Sequence, residues 1–155
     1  MSRKLILPNE FIAVAEEQLR QGKSVKLLAD GASMFPFIRG GKDVAEIFPL
    51  AKEDSMHLWN AYLFKNQGKY VIHRFIEEKQ GKLTMMGDGN IGKTETIKRE
   101  DVVGILKNIY TPDGKIKNCC SKYWQRKGRI WHSMLPMRRY LLALYRRLYK
   151  YGIMK

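Results

Sequence analysis

At 155 residues, 45% of them hydrophobic and 11% aromatic, the chain is long enough for one domain with a real core, which excludes a disordered or low-complexity protein. Its formal charge of +14 is unevenly placed: residues 1–114 carry 17 Lys/Arg against 15 Asp/Glu, while residues 115–155 carry 12 Lys/Arg and no acid. The basicity belongs to a C-terminal segment that suits a polyanionic partner, whether nucleic acid, an anionic membrane surface or an acidic protein.

The N-terminal apolar stretch is broken by Pro8, Asn9 and Glu10, and no run of about 18 apolar residues occurs anywhere, so neither an export signal nor a membrane span is read. The two cysteines, Cys119 and Cys120, are adjacent. A bridge between them would strain the intervening peptide, which favours a reducing, cytoplasmic setting.

Residues 1–23 read as a short N-terminal amphipathic helix. Phe11, Val14, Ala15 and Leu19 recur at helical spacing and Gly22 follows as a stop. Residues 24–121 read as a β domain. The runs "SVKLLA", "DVAEIFPL", "NAYLFK", "KYVIHRFIEE", "KLTMM" and "DVVGILKNIY" are rich in Val, Ile, Leu, Tyr and Phe. Turns such as "NQGK", "EKQGK" and "GDGNIGK" separate them, and one further strand is expected near "IKNCC". The expected class is mainly β (α+β), a compact antiparallel assembly.

Residues 122–155 form a basic amphipathic segment. From Met134 to about Lys150 one helix is expected, with Met134, Met137, Leu141, Leu144, Tyr145 and Leu148 opposite Arg139, Arg146 and Lys150. That helix can pack back on the domain with a solvated charged face, or lie on an anionic membrane surface; nucleic acid is the weakest of the three readings, since no reader domain accompanies it.

Three residues carry candidate chemistry. Ser33 follows an apolar strand in "DGASMFPFIR", and a serine hydroxyl is a nucleophile only if a base takes its proton. His73 lies inside "KYVIHRFIEE", where alternation places it with Val71 and Phe75 on one face, and Tyr70, Ile72, Arg74 and Ile76 on the other. Asp88 lies in the tight turn of "MMGDGN" and could orient such a histidine. Each residue taken alone has an ordinary structural explanation.

Taken in order, "GASMFPFIRGGKDVAEI", "YVIHRFIEE", "LTMMGDGN" and "EDVVGILKNIY" resemble the successive boxes of the signal peptidase I and LexA-type serine peptidases, the S24/S26 clan. The resemblance covers about residues 25–110, through Ser33-Met34-x-Pro36, His73-Arg74, Gly87-Asp88-x-Asn90 and Val102-Val103-Gly104. The His-Arg pair is similar to the branch in which histidine replaces a lysine base.

The resemblance implies a β-rich peptidase fold in which Ser33 attacks a peptide carbonyl and His73 acts as general base and then acid. An acid near Asp88 would hold the imidazole, and Gly31, Met34 and Pro36 would line the oxyanion and substrate site. Gly31 stands where many relatives have a helping serine, so backbone N–H groups would stabilise the oxyanion. Thr94 stands where the eukaryotic branch has a second aspartate, with Glu95 next, so either Asp88 or Glu95 completes the site, the matched turn favouring Asp88.

The function so implied is endoproteolysis of a precursor or leader peptide without metal or cofactor, in the cytoplasm or peripherally at the inner membrane surface. A non-catalytic peptide- or membrane-binding module on the same fold is the alternative.

Overall fold

The computed structural model describes residues 9–154. An N-terminal helix, α1 (Asn9–Arg20), leads into β1 (Val25–Leu28), β2 (Val44–Pro49), β3 (Ala61–Asn66), β4 (Lys69–Lys79), β5 (Lys82–Met86), β6 (Glu95–Lys98), β7 (Val102–Tyr110) and β8 (Ile116–Asn118). Two helices follow, α2 (Lys122–Ser133) and α3 (Arg138–Lys150). The strands form one antiparallel sheet in the order β1-β2-β7-β3-β4-β5-β6, with β8 added beside β7. The mainly β class is thereby established.

Local chemistry fixes the hairpins. Asn66 pairs with Lys69 and Lys79 with Lys82, leaving the two-residue loops Gln67-Gly68 and Gln80-Gly81. All four loop residues have positive φ, the primed turn geometry whose twist matches that of the flanking strands. Register shifts in the β2–β7, β3–β7 and β4–β5 pairings leave Lys107, Val103 and Ile76 without a partner across the ladder, the irregularity that bends a strand locally.

The sheet is apolar on both faces, so β3 is buried on both sides from Ala61 to Phe64. Along β3, Ala61 and Leu63 join one core with Ala15, Leu19, Met34, Ile47, Leu106 and Trp124, while Tyr62 and Phe64 join a second with Phe75, Met85, Ile97 and Ile105. β4 alternates as its sequence predicts: Tyr70 and Ile72 pack on the first core, Val71 and Phe75 on the second. His73 and Arg74 therefore point to opposite sides of the sheet.

The ends of the chain depart from expectation. Only Ala15 and Leu19 of the expected α1 stripe are buried; Phe11 and Val14 are exposed. The helix expected from Met134 to about Lys150 begins at Arg138, and a further helix, α2, precedes it, the two joined by a 3-10 turn over Leu135–Met137, because Pro136 has no N–H with which to continue α2. The face of α3 that packs inward carries Arg138 and Leu142 with half-buried Tyr145 and Tyr149, while Met137 and Leu144 of the expected apolar stripe are exposed.

Candidate active site

Ser33 sits in a tight turn that leaves the end of β1. The Ala29 N–H still donates to the Asp43 carbonyl (2.9 Å), after which Phe35 N–H bonds to the Ala32 carbonyl (3.1 Å) and Ile38 N–H to the Met34 carbonyl (3.0 Å). Arg39 staples the far end of the turn. Its side chain donates to both oxygens of the fully buried Asp43 carboxylate, and its own N–H donates to Asp43 Oδ2 at 2.8 Å. The hydroxyl residue is thus carried on a bonded loop, partly exposed.

The Gly87-Asp88-Gly89-Asn90 turn lies directly against Ser33. Gly89 N–H donates to the Ser33 carbonyl (2.8 Å). A Cβ on Gly89 would stand 2.2 Å from the Ala32 carbonyl oxygen, and a Cβ on Gly87 would stand 2.3 Å from that of Ser33. Both glycines are required because backbone meets backbone with no room for a side chain. The Cβ position of Gly87 is also 2.9 Å from His73 Nε2 and 2.9 Å from Asn90 Nδ2. The Ser33 turn and the imidazole therefore converge on one point, from two separate strands.

His73 is buried and its ring lies edge-on to Phe64, with centroids 6.0 Å apart. Nδ1 is 2.7 Å from Glu95 Oε2. A carboxylate at that distance accepts the Nδ1 hydrogen and fixes the tautomer in which Nε2 carries a lone pair. Nε2 makes no hydrogen bond to another group among the described residues, and the Ser33 hydroxyl does not bond to it.

The expectation that Asp88 holds the imidazole is corrected. Asp88 accepts from Arg74 Nε (2.8 Å) and Nη2 (2.6 Å) on the other side of β4, and Glu95 takes the place assigned to it. A planar guanidinium matches both carboxylate oxygens at once, so the buried Arg74–Asp88 pair satisfies itself and leaves nothing for the histidine. Phe37 and Trp124 flank Arg74 at 5.2 and 5.6 Å from their ring centroids, and its Nη1 donates to the Trp59 carbonyl (2.6 Å). Asp88 is a structural member of the turn that carries Gly87 and Gly89 to Ser33.

The substrate-lining residues are corrected as well. Met34 is a core residue, 5% exposed, with no free surface to offer a peptide. Phe35 packs edge-on against Tyr145 and Tyr149, and Phe37 against Trp124 and Trp131, so the apolar side chains that follow Ser33 are taken up by the C-terminal helices. Pro36 is half-buried in the same turn. Gly31 adopts φ +70° and donates its N–H to Asp30 Oδ1 (2.8 Å), so this amide is already engaged. The Ser33 N–H is free of protein acceptors among the described residues.

The C-terminal helices belong to the architecture of the site, a role the sequence reading missed. Trp131 Nε1 donates to the Asp88 carbonyl (2.7 Å), and Arg138 Nη1 to that of Asn90 (2.8 Å). Burial pulls the Arg138 guanidinium below the ordinary arginine value, while the Asp88 charge pulls it the other way. Trp124, Trp131 and Arg138 recur every seven residues, a spacing that signals one inward face across both helices. No protein-family model and no curated protein matches the chain.

Proposed function

We propose that the protein is a serine endopeptidase acting on a precursor or leader peptide, with Ser33 as nucleophile, His73 as general base and Glu95 as the acid that orients it. The observation that carries this reading is the buried His73 held at Nδ1 by Glu95 with its bare Nε2 beside the Ser33 turn. In the acylation step Nε2 takes the Ser33 proton as Oγ attacks the scissile carbonyl. The imidazolium so formed is stabilised by Glu95, and the oxyanion accepts the free Ser33 N–H. Nε2 then returns the proton to the leaving amine, the C–N bond breaks, and water repeats the sequence on the ester.

Among the described residues no helix is long and apolar enough to cross a membrane. We place the enzyme in the cytoplasm, peripherally at the inner membrane surface, on the strength of its basic C-terminal segment.

A fluorophosphonate probe tests the chemistry. Labelling of the full chain that maps to Ser33 and is lost in His73→Ala supports the peptidase. The second reading, a binding module that keeps the fold, is favoured by the absence of a hydrogen bond between the Ser33 hydroxyl and Nε2. Failure to label Ser33, with folding intact, would sink the peptidase and leave that second reading standing.

A further inference from the structure

The helix α3 has three faces at helical spacing. One carries Arg138, Leu142, Tyr145 and Tyr149 and packs on the domain. A second carries Met137, Leu141, Leu144 and Leu148, of which Met137 is 58% and Leu144 53% exposed while Leu141 and Leu148 are half-buried, and Tyr140 beside them is 72% exposed. The third carries Arg139, Arg146 and Lys150, all exposed, and none of them has an acidic partner among the described residues. An open hollow of about 450 Å³ adjoins these faces, floored by Ile91, Leu135 and Pro136 and rimmed by Arg139 and Tyr140.

We propose that the solvent-facing surface of α3 docks on an anionic lipid bilayer, with Met137, Tyr140 and Leu144 entering the interface and Arg139, Arg146 and Lys150 reaching the headgroup phosphates from the opposite side of the helix. Charge complementarity commits the surface to this occupant. Residues 115–155 hold 12 Lys/Arg and no acid, and a basic stripe opposite an exposed aliphatic one is the pattern of a helix that lies in an anionic interface, combining phosphate attraction with shallow apolar insertion. A nucleic acid would use the charges and leave the aliphatic stripe in water.

The arrangement has a consequence that rests on the peptidase reading. Phe35, two residues after Ser33, packs on Tyr145 and Tyr149 of the inner face, so the helix that docks on the bilayer also touches the nucleophile turn. Substrates held at the membrane surface are then the ones within reach.

Vesicle co-sedimentation of the full chain tests the docking. Phosphatidylglycerol-containing and pure phosphatidylcholine vesicles are compared for wild type, Met137→Gln/Leu144→Gln and Arg139→Gln/Arg146→Gln/Lys150→Gln. The altered side chains are solvent-exposed, so each variant should keep its circular dichroism and melting profile. Wild type should bind only the anionic vesicles and lose binding with salt, and each variant should bind about tenfold more weakly or less. Equal recovery from both vesicle types, or a Met137→Gln/Leu144→Gln variant that binds like wild type, would overturn the proposal; so would duplex DNA that outcompetes the vesicles. Probe labelling of Ser33 without vesicles is scored separately, so loss of docking and loss of the peptidase reading cannot be confused.

Discussion

His73 Nδ1 and Glu95 Oε2 stand 2.7 Å apart in a buried pocket, while the carboxylate nearer in the sequence motif, Asp88, is turned away onto Arg74. The two acids therefore predict different phenotypes. Glu95→Gln keeps a hydrogen-bonding shape but cannot stabilise an imidazolium, and turnover should fall on the order of 10³ to 10⁴-fold in a fold that stays intact. Asp88→Asn strands a buried guanidinium, which costs about 3 to 5 kcal/mol, so it should first lower the denaturant midpoint. Turnover and urea midpoints measured on both variants separate the roles. A stable Asp88→Asn with lost turnover, beside a normal Glu95→Gln, would reverse the assignment.

Gly87→Ala tests the convergence itself. Its φ is ordinary, so backbone strain is not at issue. The new methyl would meet the Ser33 carbonyl at 2.3 Å and His73 Nε2 at 2.9 Å, and backbone on one side cannot yield without moving the turn. Probe labelling of Ser33 should fall by at least about tenfold, since misplacement of about an ångström costs roughly 10²-fold in such sites. Labelling at the wild-type rate would show that the two elements do not act together.

Most of this was legible because the sheet obeys period-two patterning. The alternation of "YVIHRFI" separates His73 from Arg74, and the Gln-Gly loops mark both hairpins. β6 was not legible. In "ETIK" the inward positions are Glu95 and Ile97, so a carboxylate occupies one of the two places where an apolar residue would have revealed the strand. A buried carboxylate held by His73 breaks the local rule that would identify its strand. Asp88 misled for a related reason: a Gly-Asp turn announces an acid, while its partner Arg74 comes from a distant strand. The tail misled because helical periodicity shows an apolar face without saying which of two candidate stripes will be covered.

His132 predicts an acid sensitivity. Its ring packs on Trp59 with centroids 5.4 Å apart, and burial together with the Arg138 charge lowers its pKa below the ordinary 6.5. The folded state thus binds its proton more weakly than the unfolded chain. Its contribution to stability is complete above about pH 6.5 and is lost as pH falls through the lower folded value. Between pH 7.5 and 5 the melting temperature of wild type should fall relative to that of His132→Phe as the pH falls, because Phe keeps the stacking and removes the titration. Parallel curves would mean that His132 charges as readily in the folded protein as in the unfolded one.

Gly128→Ala sets two magnitudes against each other. Gly128 lies inside α2, where alanine is intrinsically better by roughly 0.8 to 1 kcal/mol, and on propensity alone the variant should be more stable. The added Cβ would stand 2.4 Å from Arg74 Nη1 and 2.5 Å from its Cζ. Such an overlap is cheap only if the guanidinium can swing aside. It is instead held by two bonds to Asp88 and one to the Trp59 carbonyl, between Phe37 and Trp124, so α2 must lift or the buried pair must break. Overpacking of that kind costs about 1 to 3 kcal/mol, and loss of the pair costs more, so the clash outweighs the propensity gain. Urea unfolding should show Gly128→Ala less stable than wild type, and Ser33 labelling should fall with it, because Trp131 and Arg138 hold the carbonyls of Asp88 and Asn90 from the same pair of helices. A more stable variant with normal labelling would mean that α2 does not bear on Arg74, and that the C-terminal helices are not part of the site.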